Sequence, residues 1–214
     1  MNERFLIFSR IFCKKVPNFV NQSYKFIFIK IIIKLIDTSK IVISGGPGGG
    51  KTTIINALNQ LGYFCYDEIS RDLIEKGIKS GKQNLFVEDP IKFSDTLWKK
   101  REEQYKNSII QKKYDKVFFD RSLIDITSYL EFIGKRNINL EKKLINFNYD
   151  VVFLVKPNKK NYRKDSIRYE DYNESIKIHN ILKKNYQIQF KTINVPYRKL
   201  SKRLNFIIEI CDKL

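Results

Sequence analysis

The sequence has few of the residues from which disulfide frameworks and zinc sites are built. Among its 214 residues are three cysteines and one histidine. Cys13, Cys65 and Cys211 lie far apart without a C-x-x-C pair, and His179 has no second histidine with which to form a cluster. Disulfide scaffolds and zinc sites need several such residues at short spacing. The sequence therefore supports neither, and it also lacks internal repeats and low-complexity tracts.

Acidic residues are also in short supply. Lys and Arg number 41 against 23 Asp and Glu, which gives a formal net charge of +18. Ile, Lys, Asn, Phe and Tyr are all abundant, a composition typical of A+T-rich coding, in which lysine fills solvated positions generally. Such a field attracts polyanions without identifying any of them. No basic stripe interleaved with aromatic residues is evident, so nucleic-acid binding is the least favoured function.

The N-terminal part lacks an apolar run long enough to span a membrane, which takes about 20 residues. Residues 1–40 carry eight basic and two acidic side chains, and lysines interrupt the apolar stretch 26–36. We predict that residues 1–38 form a basic, apolar extension. Three interpretations stay open: an amphipathic segment on an anionic membrane, a targeting peptide, and a nonessential extension. The predicted location is cytoplasmic, with peripheral membrane association under the first interpretation.

Glycine is scarce as well, yet five of the nine glycines lie within six consecutive positions. The run that holds them satisfies G-x-x-x-x-G-K-[ST], with the apolar stretch 41–43 before it and an amphipathic stretch, 53–61, after it. A strand that leads into a helix through such a loop is the context of a phosphate-binding loop. A glycine-rich linker is the alternative, but linkers do not usually lie between a strand and a helix of this kind.

Glycine suits this loop because the backbone must wrap closely around a polyphosphate with its N–H groups pointing inward. The first turn of the following helix adds unpaired N–H groups and a partial positive charge. Lys51 is placed to reach the β- and γ-phosphates, and Thr52 to bind Mg²⁺. We therefore predict ATP as the donor, with GTP as an alternative. The predicted nucleotide-binding residues are Gly45, Gly46, Pro47, Gly48, Gly49, Gly50, Lys51, Thr52 and Thr53.

Short β-rich runs alternate with helical patterns from residue 39 onward. Five strands separated by helices predict an α/β fold over residues 39–214. We expect a P-loop NTPase in which a mostly parallel five-stranded sheet forms the middle layer of a three-layer α/β/α sandwich. Asp89-Pro90 indicates a helix start. Leu97, Arg101, Tyr105 and Ile109 follow at a spacing of four. The predicted strands are 40–44, 63–66, 117–120, 151–155 and 192–195.

Ligands of such sheets bind at the carboxyl ends of the strands, and an acidic residue ends the predicted third strand. Asp120 is placed to hold Mg²⁺, directly or through water, and Arg121 to meet a phosphate or a substrate oxygen. Asp120 is alternatively the cap of the next helix, with Arg121 as its ion partner. We predict catalytic roles for both.

Asp67 and Glu68 close the predicted second strand. A carboxylate there can accept the proton of an attacking hydroxyl, which is the general-base role in phosphoryl transfer. Glu68 is the better candidate, because Asp67 has a simpler explanation as the cap of the following helix. Arg71 lies one turn further on, where it would bind the substrate anion or a neighbouring helix.

A third polar stretch follows the fourth strand and contains Arg163, Asp165, Arg168 and Glu170. An arginine that covers the transferring phosphoryl group neutralises its charge and excludes water, so Arg163 and Arg168 are candidates for a lid. A solvated charged face is the alternative.

The region from residue 41 onward resembles the AAA-type ATPase domain shared by NadR-like kinases and the TRP-translocation-defect proteins. The resemblance rests on IVISGGPGGGKTT, YDEISRDL, VFFDRSLID and YRKDSIRYEDYNESIKIHNILKKNY. It implies that Lys51 and Thr52 bind the triphosphate and Mg²⁺, that Asp120 and Arg121 form the acidic-strand motif, and that Asp165 and Arg168 belong to the lid. The chain departs from the family pattern G-x-P-D at residues 122–125, and from Thr-Asp at 164–165.

These observations predict an ATP-binding enzyme that transfers a phosphoryl group to a small nucleoside-like acceptor or hydrolyses ATP with Mg²⁺. The alternative is a nucleotide-dependent switch that binds acidic lipid or a protein partner. GTP gains little support, because the stretch 158–161 reads N-K-K-N and lacks the aspartate with which N-K-x-D reads guanine.

Overall fold

The computed structural model describes residues 38–79, 85–110, 113–160, 162 and 170–214. The described residues belong to one compact unit, Thr38–Leu214. The predicted extension lies outside the described residues except for Thr38, so its role stays a prediction. The lid candidates Arg163, Asp165 and Arg168 also lie outside them.

Five strands form one parallel sheet in the order β2-β3-β1-β4-β5. Every predicted strand is confirmed to within a residue at each end. The central strands are almost continuously apolar because helices cover both of their faces. The strands are β1 Ser39–Ser44, β2 Phe64–Tyr66, β3 Lys116–Asp120, β4 Val151–Leu154 and β5 Thr192–Asn194.

Eight α-helices lie within the described residues, and none of these is long and apolar enough to cross a membrane. One 3₁₀ turn, Leu144–Asn146, follows the sixth helix. The helices are α1 Lys51–Gln60, α2 Ile69–Lys79, α3 Leu85–Glu88, α4 Pro90–Ile110, α5 Leu123–Phe132, α6 Ile138–Lys143, α7 Tyr172–Gln187 and α8 Leu200–Cys211.

The sheet separates two apolar cores, as expected of a three-layer sandwich. Alternate side chains of β1 face opposite ways: Val42 packs with residues of α4, α5 and α7, whereas Ile41 and Ile43 pack with residues of α1 and α8. This alternation follows from the two-residue repeat of a strand. The predicted α/β/α architecture is confirmed, and the described part of the sheet is entirely parallel.

Helix α4 begins at Pro90, as the Asp89-Pro90 pair predicts. Leu97, Arg101 and Tyr105 are buried, but Ile109 is 51% exposed. Each step of four residues advances about 40° around a helix with 3.6 residues per turn. After three steps Ile109 has turned away from the sheet.

Candidate functional site

The predicted phosphate-binding loop joins the end of β1 to the start of α1. Gly45 and Gly50 have φ values of 128° and 82°, in the left-handed region that favours glycine. A Cβ at Gly45 would also collide with the carbonyl oxygen of Val155 at the end of β4. The glycines are therefore required by the close packing of the loop against β4 as well as by its turns.

Two residues that the sequence did not indicate form hydrogen bonds with the backbone of this loop. Arg203 of α8 donates from Nη2 to the carbonyl oxygen of Gly49 at 3.0 Å. The N–H of Gly46 donates to Nδ1 of His179, in α7, at 3.5 Å. His179 is buried, and burial followed by the charge of Lys51 lowers its pKa to about 4, so the ring is a neutral acceptor at pH 7.

Lys51 begins α1 and is buried, with Nζ 2.9 Å from the carbonyl oxygen of Gly46. Burial, and next the charge of Arg121, lower the pKa of Lys51 to about 8. Its ammonium group is thus still protonated at neutral pH. Thr52 and Thr53 are exposed, and both line the cavity described below.

Glu68, at the end of β2, is paired with Arg121, at the end of β3. Nε of Arg121 lies 2.6 Å from Oε1 of Glu68, and the Ser70 hydroxyl donates to the same oxygen at 2.7 Å. Burial alone would raise the pKa of Glu68, but the charges of Arg121 and Lys51 outweigh it and bring the pKa to about 2. Glu68 is therefore ionised. Helix α2 begins directly after it, and Asp67 is exposed.

Arg121 has an unusual backbone that turns its side chain into the site. Among the described residues it is the one non-glycine with a positive φ, 73°. Its Nη1 lies 3.1 Å from Oδ1 of Asp125, and its guanidinium lies 5.5 Å from the centre of the Tyr129 ring. Burial opposes its charge, but Glu68 and the other neighbouring groups raise the pKa of Arg121 well above its ordinary value. The guanidinium stays charged between two carboxylates.

Asp125 joins the site to the core and was not predicted. Its Oδ1 accepts from the Ser44 hydroxyl at 2.8 Å, and its Oδ2 accepts from the Ser122 N–H at 2.9 Å and from the Tyr186 hydroxyl. Arg101 of α4 donates to the carbonyl oxygen of Ser122. The Ser-x-x-Asp spacing of residues 122–125, typical of a capping box, was the signal that could have indicated this network.

Asp120 ends β3 and is 3% exposed, yet neither of its oxygens has a hydrogen-bond partner among the described residues. Burial, and next the charge of Glu68, raise its pKa to about 7. Ser122, not Asp120, caps α5, with Asp125 completing a capping box. The alternative prediction of Asp120 as the helix cap is therefore wrong.

A buried carboxylate without partners fits a hard cation such as Mg²⁺, which prefers oxygen ligands. Within the described part of the chain no group of three or more acidic, His or Cys side chains could hold a metal. Mg²⁺ usually takes one or two protein ligands together with phosphates and waters. Asp120, with the exposed hydroxyl of Thr52, fits that pattern.

A cavity of about 680 Å³ is lined by loop residues together with Glu68 and Arg121, whereas Asp120 is not one of its lining residues. Its other charged lining residues are Arg71, Arg101, Asp125, Glu170 and Glu174. Its apolar lining consists of Ile74, Val87, Phe93, Leu97, Ile126, Tyr129, Phe132 and Ile133. The cavity thus offers a place for a planar or apolar group beside a carboxylate and a phosphate loop.

Comparisons with known proteins agree with this fold. The model of a family described as an AAA domain matches residues 40–203. No curated protein matches the chain.

Solved structures with the same fold include nucleoside and nucleotide kinases and NadR. Deoxyadenosine kinase from M. mycoides, with products dCMP and dCDP bound, is 18% identical with a TM-score of 0.57, over 82% of this chain and 100% of that one. NadR in complex with NR is 13% identical with a TM-score of 0.62, over 86% of this chain and 52% of that one. Thymidylate kinase from Candida albicans is 14% identical with a TM-score of 0.55, over 83% of this chain and 92% of that one. At these identities the likeness establishes the fold.

Proposed function

The chain belongs to the AAA domain family that its match over residues 40–203 identifies, and we propose that it is an ATP- and Mg²⁺-dependent kinase of a small nucleoside-like hydroxyl compound. The observation that carries the proposal is the position of Glu68. Its ionised carboxylate lines the same cavity as the phosphate loop and an apolar, aromatic wall.

The loop and Lys51 bind the donor. Inward N–H groups of the loop and the first turn of α1 take up the negative charge of the triphosphate. Lys51 exchanges its bond with the Gly46 carbonyl for the β- and γ-phosphates. Thr52 and Asp120 would hold Mg²⁺, which neutralises charge on the phosphate oxygens when bound.

Glu68 receives the proton of the acceptor. The bonds from Arg121 and Ser70 both go to Oε1, so Oε2 has no hydrogen bond from the described residues. As the acceptor oxygen forms its bond to the γ-phosphorus, its proton passes to Glu68, and the bond to the β-phosphate oxygen breaks to release ADP. Arg121 holds Glu68 in place through their ion pair.

The carboxylate of Glu68 favours a neutral acceptor over a phosphorylated one. An alcohol has to lose a proton in the reaction and gains from a carboxylate, whereas a phosphate group is already anionic and would be repelled by Glu68. Arg121 is neutralised by Glu68 and Asp125, and Arg101 is engaged by the Ser122 carbonyl. The aromatic wall suits a nucleobase or a similar ring.

Two variants test the proposal. Lys51→Ala should abolish Mg²⁺-dependent turnover of ATP in a panel of nucleosides, with ATP and GTP compared as donors. Glu68→Gln should keep ATP affinity but lower kcat by about 10²- to 10⁴-fold, the usual range for loss of a general base. Glu103→Gln, an exposed change of the same kind on α4, is the control and should be silent. Unchanged turnover in Lys51→Ala would refute the assignment.

A further inference from the structure

Arg203 occupies an unusual place for a cation. It lies in the first turns of α8, is 9% exposed, and contacts the phosphate loop without lining the cavity. Its Nη2 donates to the Gly49 carbonyl oxygen at 3.0 Å. A Cβ built on Gly50 would lie 3.3 Å from Nη1, so the guanidinium covers two successive loop residues.

The bond to Gly49 fixes the direction of the next N–H. The peptide that joins Gly49 to Gly50 is planar and trans, so its carbonyl and its N–H point in opposite directions. Because Arg203 binds the carbonyl of Gly49, the N–H of Gly50 points away from Arg203, which does not itself line the cavity. Gly50 lines the cavity and precedes α1 as its N-cap. A cation on the carbonyl also polarises the peptide and strengthens its N–H as a donor.

The charge of Arg203 has no protein counterion among the described residues. No carboxylate there lies within salt-bridge distance of it, and its buried Nε has no hydrogen-bond partner. A buried cation without a partner is costly, and proteins normally pair such charges. Burial accordingly lowers the pKa of Arg203. A polyphosphate bound in the adjoining loop would supply the negative charge that this guanidinium lacks.

We propose that Arg203 is a positioning residue for the donor nucleotide, which orients the Gly49-Gly50 peptide towards the phosphates and supplies a buried positive charge behind the loop. This inference rests on the proposed binding of ATP. It assigns to the last helix, far from the motif in sequence, a part in donor affinity.

Calorimetry with Arg203→Met and Arg203→Lys tests this role, with ATP plus Mg²⁺ and inorganic tripolyphosphate as probes. The Met variant should bind both about 10- to 100-fold more weakly, the range expected for loss of one hydrogen bond to a charged group. The Lys variant, which keeps the charge but lacks the planar fork, should lose about 3- to 10-fold. Arg198→Met removes an exposed charge shortly before α8 and should leave both affinities within about twofold.

A merely structural tie between α8 and the loop gives another result. The melting temperature of Arg203→Met would then fall while the Kd for ATP stayed at the wild-type value, and the proposal would be overturned. If the Met variant does not fold, the Lys variant decides: a Kd within twofold of wild type overturns the proposal. Absence of ATP binding by the wild-type protein would instead remove the proposed function itself.

Discussion

Asp125→Asn tests whether the buried network holds the site in place. The substitution keeps the shape of the side chain and removes its charge. Both carboxylate oxygens of Asp125 accept hydrogen bonds: Oδ1 from Ser44 and Arg121, and Oδ2 from Ser122 and Tyr186. An asparagine amide has one accepting oxygen and one NH₂ group. In either orientation the NH₂ therefore faces a donor, Arg121 on one side or the Ser122 N–H on the other.

The expected loss of stability follows from these contacts. Removing one partner of a buried ion pair typically costs about 3 to 5 kcal/mol. Arg121 keeps Glu68 as its second counterion at 2.6 Å, which argues for the lower end of that range. We expect the free energy of unfolding to fall by about 3 kcal/mol, and the melting temperature by about 6 to 12 °C for a domain of this size.

Urea unfolding at pH 7, followed by circular dichroism, measures the loss. Asp95→Asn, an exposed change on α4, is the matched control and should stay within about 0.5 kcal/mol of wild type. The Asp125 variant should also lose turnover, because Arg121 loses one of the two carboxylates that fix its position. A loss below about 1 kcal/mol would refute the view that Asp125 anchors the site, since even one charged hydrogen bond is worth more than that.

Two further predictions concern pH. Asp120→Asn should end turnover, yet stabilise the Mg²⁺-free protein at pH 8 by about 2 to 4 kcal/mol. Burial raises the folded pKa of Asp120 to about 7, so its ionised form opposes folding above that pH, and the gain should vanish near pH 4. Urea titrations in EDTA that show a less stable variant at pH 8 would contradict this prediction. In His179→Asn the side-chain oxygen can still accept from Gly46, and the variant should lose less stability than wild type between pH 7 and pH 5. The folded pKa of His179, about 4, lies below its unfolded value, so the unfolded chain takes up a proton first as the pH falls. This lowers the free energy of unfolding of the wild-type protein by about 2 kcal/mol at pH 5. Parallel profiles of stability against pH for the variant and the wild type would contradict the prediction.

The fold was predictable because its signals are local. Each strand is a short apolar run, and the glycine run between β1 and α1 lies in consecutive residues. Glu68 and Arg121 were both predicted as site residues from their places after strands, but as separate candidates. Their ion pair joins residues 53 positions apart, and no local pattern reports such a contact.

The supports of the loop could not be predicted for the same reason. His179 and Arg203 lie 133 and 154 positions after the loop residues they contact. In the sequence Arg203 is one basic residue among 41, without a motif around it.

The position of β1 in the middle of the sheet shapes how the chain acquires its structure. Thr38, just before β1, and Lys40, in β1, bond to Tyr114 and Asp150, which lie 76 and 110 positions further along, shortly before the two neighbouring strands. Pairings so distant in sequence slow folding, because a long stretch of chain must be ordered before they form. Until β3 and β4 arrive, the apolar β1 segment has two open edges that can pair with other molecules. We therefore expect refolding to be slow and sensitive to protein concentration, and the glycine loop to gain its shape only when the whole sheet has assembled.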